Sequence, residues 1–200
     1  MRKDNGNGHE SYLCSKNKKQ EGVTPAILLC DPHYSYNVAH AVRAASCFGI
    51  KQVWFTGDRV AIDPKSRMPR EERMKGYRDV ELRQHDYAFD EFPRGTVPVA
   101  VELTPSSENL LEFEHPENAL YVFGPEDGSL SRPQLQHCHR FVMIPTRHCV
   151  NLSSAVYLIL YDRMMKQFFN GDFPLKRVDE YLNEDRGWFK DLDKLVLRNS

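Results

Sequence analysis

Ala119-Leu120-Tyr121-Val122-Phe123-Gly124-Pro125-Glu126 is an apolar run that opens abruptly into glycine, proline and a carboxylate. A short continuous apolar run bounded by a turn signal reads as a strand buried on both faces. Gly124 and Pro125 then set polar backbone at its carboxyl end, where open α/β sheets bind ligands. Ala26-Ile27-Leu28-Leu29-Cys30 running into Asp31-Pro32 repeats this pattern, as does Arg140 to Ile144 running into Pro145-Thr146.

Other strands are expected at Gln52 to Thr56, stopped by Gly57-Asp58, at Val80 to Leu82 and at Val97 to Leu103. A helix capped by Asn37 and closed by Gly49 buries Val38, Val42 and Ala45 at i, i+4 and i+7. Thr104-Pro105-Ser106-Ser107 is expected to begin a short helix over Leu110 and Leu111, and Arg132 to His139 is helical in length. From Val150 to Phe169 the chain is apolar on nearly every side, which predicts a helix packed on both flanks. Strands alternating with helices imply an α/β domain, a mostly parallel sheet with helices on both faces. It should span 22–170, after a flexible polar tail over 1–21 and before an extension over 171–200 with amphipathic helices at Leu175–Leu182 and Trp188–Leu197.

Composition excludes several classes. With 40% apolar and 28% charged residues, the 200-residue chain reads as an ordinary soluble globule. Its apolar stretches fall short of the roughly 20 residues that cross a bilayer. Met1-Arg2-Lys3 runs into Asp4-Asn5-Gly6, unlike a signal peptide. Five cysteines, an odd number without C-x-x-C, indicate reduced cytoplasmic usage. His137-Cys138-His139 with His148-Cys149 matches no standard metal spacing, so no metal is expected. A net charge of −1 argues against an indiscriminate nucleic-acid coat, yet Lys65 to Arg78 and the first twenty residues are locally basic. Such patches fit either contact with a phosphate backbone at one place or a solvated loop face.

No dinucleotide-binding glycine fingerprint, P-loop or G-x-S-x-G elbow is present. Three strand-to-helix junctions remain. In the first, Asn37-Val38-Ala39-His40-Ala41-Val42-Arg43-Ala44-Ala45-Ser46-Cys47-Phe48-Gly49, Arg43 lies about 100° round the helix from Val42. It can offer its planar fork to phosphate or hydroxyl, or form a surface ion pair. The second is Phe123-Gly124-Pro125-Glu126, which alone reads equally as a turn. In the third, Ile144-Pro145-Thr146 and Val150-Asn151-Leu152-Ser153-Ser154, Asn151 can cap the following helix and expose amide donors.

In this order and spacing the three junctions resemble the motifs of the SpoU (TrmH-like) family of the SPOUT superfamily of RNA methyltransferases. Those motifs are N-x-G-x-x-x-R-x-A-x-x-F-G, F-G-P-E and I-P…S-L-N-x-S, and the likeness spans Ala26 to Phe169. It implies a C-terminal deep trefoil knot, S-adenosyl-L-methionine as cofactor, a homodimer, and methylation of a ribose 2′-hydroxyl in an RNA substrate, tRNA or rRNA. By position it implies catalytic-site roles for Asn37, Arg43, Glu126 and Asn151, and cofactor contacts at Leu103, Thr104, Gly124, Ile144 and Val150. The chain departs from the pattern at Ala39, where glycine is usual, at the offset Gly128-Ser129, and at Cys149, where serine is common. The interval from Ile144 to Asn151 is also shorter than in many members. Thr146 or Ser153 could supply the hydroxyl that Cys149 lacks. A knotted RNA-binding protein without catalysis, and a SPOUT enzyme acting on a nucleobase, are the competing readings. A flavodoxin-like binding module would explain the alternation of elements but not the motifs.

Overall fold

Successive residues of a strand face opposite sides of a sheet, and both sides of this sheet are apolar. In strand β1 (Ala26–Leu29), Ile27 and Leu29 join one core cluster while Ala26 and Leu28 join another. Strand β6 (Ala119–Phe123) divides likewise, with Tyr121 and Phe123 on the first side and Leu120 and Val122 on the second. A computed structural model describes residues 22–62 and 79–172, to which every structural statement here refers.

The remaining strands are β2 (Gln52–Phe55), β3 (Glu81–Gln84), β4 (Val97–Val101), β5 (Glu108–Asn109) and β7 (Arg140–Met143). They form one seven-stranded sheet in the order β3-β2-β1-β6-β4-β7-β5, and every pairing is parallel. Helix α1 (Ser35–Cys47) and the first turns of α3 (Leu152–Phe169) cover one face, through Val38, Val42 and Ala45 and through Val156, Ile159 and Leu160. A 3₁₀ turn (Ala88–Glu91) and helix α2 (Arg132–His137), with Leu130 and Cys138, cover the other. Ser131 and Gln134 start α2 as a reciprocal capping box, which stops the backbone donors of so short a helix from going unpaired.

Strand β7 lies between β4 and β5, although β5 directly follows β4 in the chain. Glu102 N–H donates to the Val142 carbonyl at 3.0 Å, and Leu110 N–H to that of Met143 at 2.9 Å. The connection 102–107 therefore carries the chain past β7, from β4 on one side of it to β5 on the other.

Three expectations need correction. Helix α1 begins at Ser35 with Tyr34 at its N-cap, so Asn37 lies inside the first turn and is fully buried. No helix starts at Thr104. The Ser107 hydroxyl instead donates to the Glu102 carbonyl at 2.7 Å, tightening a turn that delivers β5 to the sheet edge. Helix α3 is buried on one flank only: Leu158 and Tyr161 are 39% and 52% exposed, since no other element among the described residues covers that side.

The chain divides into two units, one ending at Arg163 and one starting at Met164. The second carries the last turns of α3, after which Gly171 takes a positive φ of 81°. The tail over 1–21, the basic run 65–78 and the helices expected at 175–182 and 188–197 lie outside the described residues.

Candidate active site at the carboxyl edge of the sheet

All the parallel strands end at one edge, so residues distant in sequence meet there. Glu126, just beyond β6, reaches back 89 residues to accept a hydrogen bond from the Asn37 amide at 2.5 Å. The same carboxylate accepts the His33 N–H at 2.7 Å and, more weakly, the Tyr34 N–H at 3.4 Å. It thus occupies the electropositive start of α1, where a negative charge is favoured. Desolvation raises the pKa of Glu126, but the bonds from Asn37, His33 and Tyr34 outweigh it and hold the carboxyl below its ordinary range.

The sign of the linkage follows from that direction. The contribution of Glu126 to stability is complete above the ordinary glutamate pKa and is lost as pH falls through the lowered folded value. Glu126 should therefore add no limb to an activity profile between about pH 6 and 9; a titration in that interval removed by Glu126→Gln would refute this. The substitution itself puts an NH₂ among donors. It is expected to cost about 1.5–3 kcal/mol in urea unfolding, the range for hydrogen bonds to a charged group.

Arg43 sits half-buried in the third turn of α1, beside Val42, which is 2% exposed. The side-chain oxygen of Asn37 is buried with no hydrogen-bond partner among the described residues. At the head of α3, Asn151 accepts from the Ser153 N–H at 2.9 Å and from the Ser153 hydroxyl at 2.7 Å, so it does cap the helix. Cys149 is exposed. The two hydroxyls expected to stand in for it are both engaged, Ser153 with Asn151 and Thr146 with the His148 carbonyl at 2.8 Å.

The residues expected at the cofactor lie at the ends of adjacent strands: Leu103 and Thr104 after β4, Gly124 after β6, and Ile144 after β7, with Val150 before α3. Leu103 is 74% exposed, while Ile144 and Val150 are half-buried against the core. A Cβ on Gly124 would stand 3.0 Å from the Leu130 nitrogen and 3.2 Å from the Ser129 carbonyl carbon, so only glycine lets the loop fold back this closely. Glu102 joins two of these loops by accepting the N–H of Leu103 at 3.0 Å and that of Leu130 at 3.1 Å.

Several residues here carried no sequence signal. Arg59, after β2, donates to Asp127 at 2.6 Å, to Asp31 at 3.2 Å and to Nδ1 of His33. The Arg59 guanidinium holds the Asp127 carboxyl below its usual range. Asp31 adopts a φ of 48°, rare for a residue with a side chain, and a Cβ at Gly57 would meet its carboxylate. Asp31-Pro32 and Gly57-Asp58 mark turns in the sequence, but nothing local shows that Arg59 joins them to Asp127. Elsewhere, Cys138 is buried and donates to the Gln134 carbonyl, and His137 stacks on Phe89. Among the described residues no three His, Cys, Asp or Glu side chains are grouped to hold a metal ion.

The comparisons with known proteins agree with this architecture. A model of the family described as the SpoU rRNA Methylase family matches residues 25–161. The tRNA (cytidine-2′-O-)-methyltransferase TrmJ of Methanocaldococcus jannaschii is 29% identical over 161 residues, covering 72% of this chain and 69% of that protein. The TrmH/SpoU tRNA modifying enzyme of A. aeolicus superposes with a TM-score of 0.61 at 19% identity, over 88% of this chain and 91% of the other. An AdoMet-bound rRNA methyltransferase from Sinorhizobium meliloti gives 0.61 at 19% identity, over 74% of this chain and 58% of that one.

Proposed function

The chain belongs to the SpoU rRNA methylase family, and from that premise we propose that it methylates a ribose 2′-hydroxyl in tRNA or rRNA, using S-adenosyl-L-methionine. The observation that carries the reading is the meeting of the three motifs at one sheet edge, with Glu126 bonded to Asn37 in the helix that bears Arg43. The residues present fit the cofactor. Leu103, Ile144 and Val150 offer apolar walls, and the Gly124 loop offers a close backbone approach.

When bound, S-adenosyl-L-methionine supplies a methyl group already activated on a sulfonium, so the chain's task is alignment and charge stabilisation. Arg43 serves it as a cation. A guanidinium does not give up its proton in a protein at neutral pH, so it cannot serve as the base. Its fork instead orients the ribose-phosphate and stabilises negative charge growing on the 2′-oxygen as the hydroxyl releases its proton to solvent water. Glu126 acts by holding the start of α1, since its oxygens are already committed to Asn37, His33 and Tyr34. Asn151 fixes the head of α3 behind Val150.

A homodimer and a C-terminal trefoil knot complete the reading. The uncovered Leu158 and Tyr161 on α3 support the first, and the passage of 102–107 past β7 supports the second. The place of action is the cytoplasm, in line with the cysteine usage; no helix among the described residues is long and apolar enough to cross a membrane.

The test is incubation with radiolabelled S-adenosyl-L-methionine and total RNA, followed by digestion to nucleosides. Label is expected in 2′-O-methylnucleosides. Label on a base, or in no RNA, would refute the assignment. Gly124→Ala is expected to weaken cofactor binding at least tenfold by calorimetry, because the added methyl meets backbone that must shift.

A further inference from the structure

We propose that Tyr34 and Tyr36 form a platform on which an unpaired nucleobase of the RNA substrate stacks; the proposal rests on the methyltransferase reading above. Both rings are exposed, at 44% and 51%, yet they are ordered against one another, with centroids 5.2 Å apart and planes 18° apart. The His33 ring meets Tyr34 edge to face at 4.3 Å and 84°. Glu126 holds the amides of His33 and Tyr34, so the stack stands on a fixed mount. A ligand that lands on it need not pay to order it.

Position ties the stack to the chemistry. Tyr36 precedes Arg43 by seven residues on α1, which places the two on one stripe of the helix, about 10.5 Å apart along its axis. A short stretch of single-stranded RNA reaches both. The charges nearby select a base over a phosphate. Asp31 and Asp127 share Arg59, and Glu126 holds the neighbouring His33 amide, so among the described residues this corner is not an attractive place for a phosphate backbone. An uncharged π-face suits a base, and every base can stack on one.

The test uses the full chain and a short single-stranded RNA oligonucleotide carrying 2-aminopurine and a fluorescein end label. Wild-type protein should quench the 2-aminopurine on binding. Tyr36→Ala should lose the quench, bind roughly tenfold more weakly by anisotropy, and raise KM for total RNA by a similar factor at unchanged kcat. Tyr36→Phe and Tyr36→Trp, which keep the π-face, should behave as wild type. An active wild type whose binding and KM do not change in Tyr36→Ala overturns the platform. So does a Tyr36→Ala variant that sediments as a smaller species than wild type, because the tyrosines would then be a protein interface. A wild type that methylates no RNA overturns the methyltransferase reading and the platform with it.

Discussion

Arg43→Ala is expected to lower methyl transfer by about 10²–10³-fold, the usual loss when one fixed transition-state donor is removed, while cofactor binding stays close to wild type. The separation follows from the layout of the sheet edge. Arg43 belongs to α1, which follows β1, whereas the cofactor positions follow β4, β6 and β7. Charge alone should not restore the rate. Arg43→Lys keeps a cation but loses the planar fork that addresses two oxygens together, so it should recover at most a small part. Single-turnover transfer of labelled methyl to total RNA, with calorimetry of cofactor binding, checks both halves. If Arg43→Ala loses cofactor binding as well, the residue belongs to the donor pocket, and its assignment to the ribose fails.

Arg163→Met is expected to cost stability heavily although it lies outside the site. Arg163 is 6% exposed, on the buried flank of α3. It donates to the Pro116 carbonyl at 2.5 Å, to the Glu117 carbonyl at 3.0 Å and to the Tyr121 hydroxyl at 3.1 Å. The network extends through His115, whose ring touches Tyr121 at 2.7 Å and Asp162 at 2.8 Å. Burial drives the Tyr121 phenol up to about 12 even with Arg163 beside it, so the hydroxyl remains neutral. Methionine fills similar space but leaves two carbonyls and a hydroxyl short of a donor. At about 1–3 kcal/mol for each buried group left unsatisfied, partly relieved by relaxation, the expected cost is about 3 kcal/mol. That corresponds to a fall in Tm of roughly 10 °C for a chain of this size. Urea and thermal unfolding read it directly; a change below about 1 kcal/mol would show that the network does not hold α3 to the sheet.

Strands β1, β2, β4, β6 and β7 were legible because each is a mainly apolar run with a clear stop, whereas the two-residue β5 is polar and was not foreseen. Legibility failed where a local signal had two structural solutions. Asn37 before an apolar helix reads as a cap, yet it is buried one turn in and takes its partner from Glu126, 89 residues away. Thr104 to Ser107 could cap a helix, but the same hydroxyls close a turn because β7 offers β5 a ladder partner. Helix α3 reads as buried all round because its apolar residues continue past the flank that the core covers, to the exposed Leu158 and Tyr161. In the candidate site, the motif residues came from likeness to a family, and the structure brings Asn37 and Glu126 into contact. Arg59, Asp127 and Glu102 escaped because their role lies in joining loops that sequence distance keeps apart.

The position of β7 between β4 and β5 also has a temporal meaning. The loops assigned to the methyl donor follow β4, β6 and β7, so a nascent chain halted before Arg140 lacks part of the pocket's wall. On that assignment, cofactor affinity is expected only once β7 has found its slot between β4 and β5. In cells, a saturating methyl donor would reward completed molecules with added stability and leave unfinished ones to the proteases.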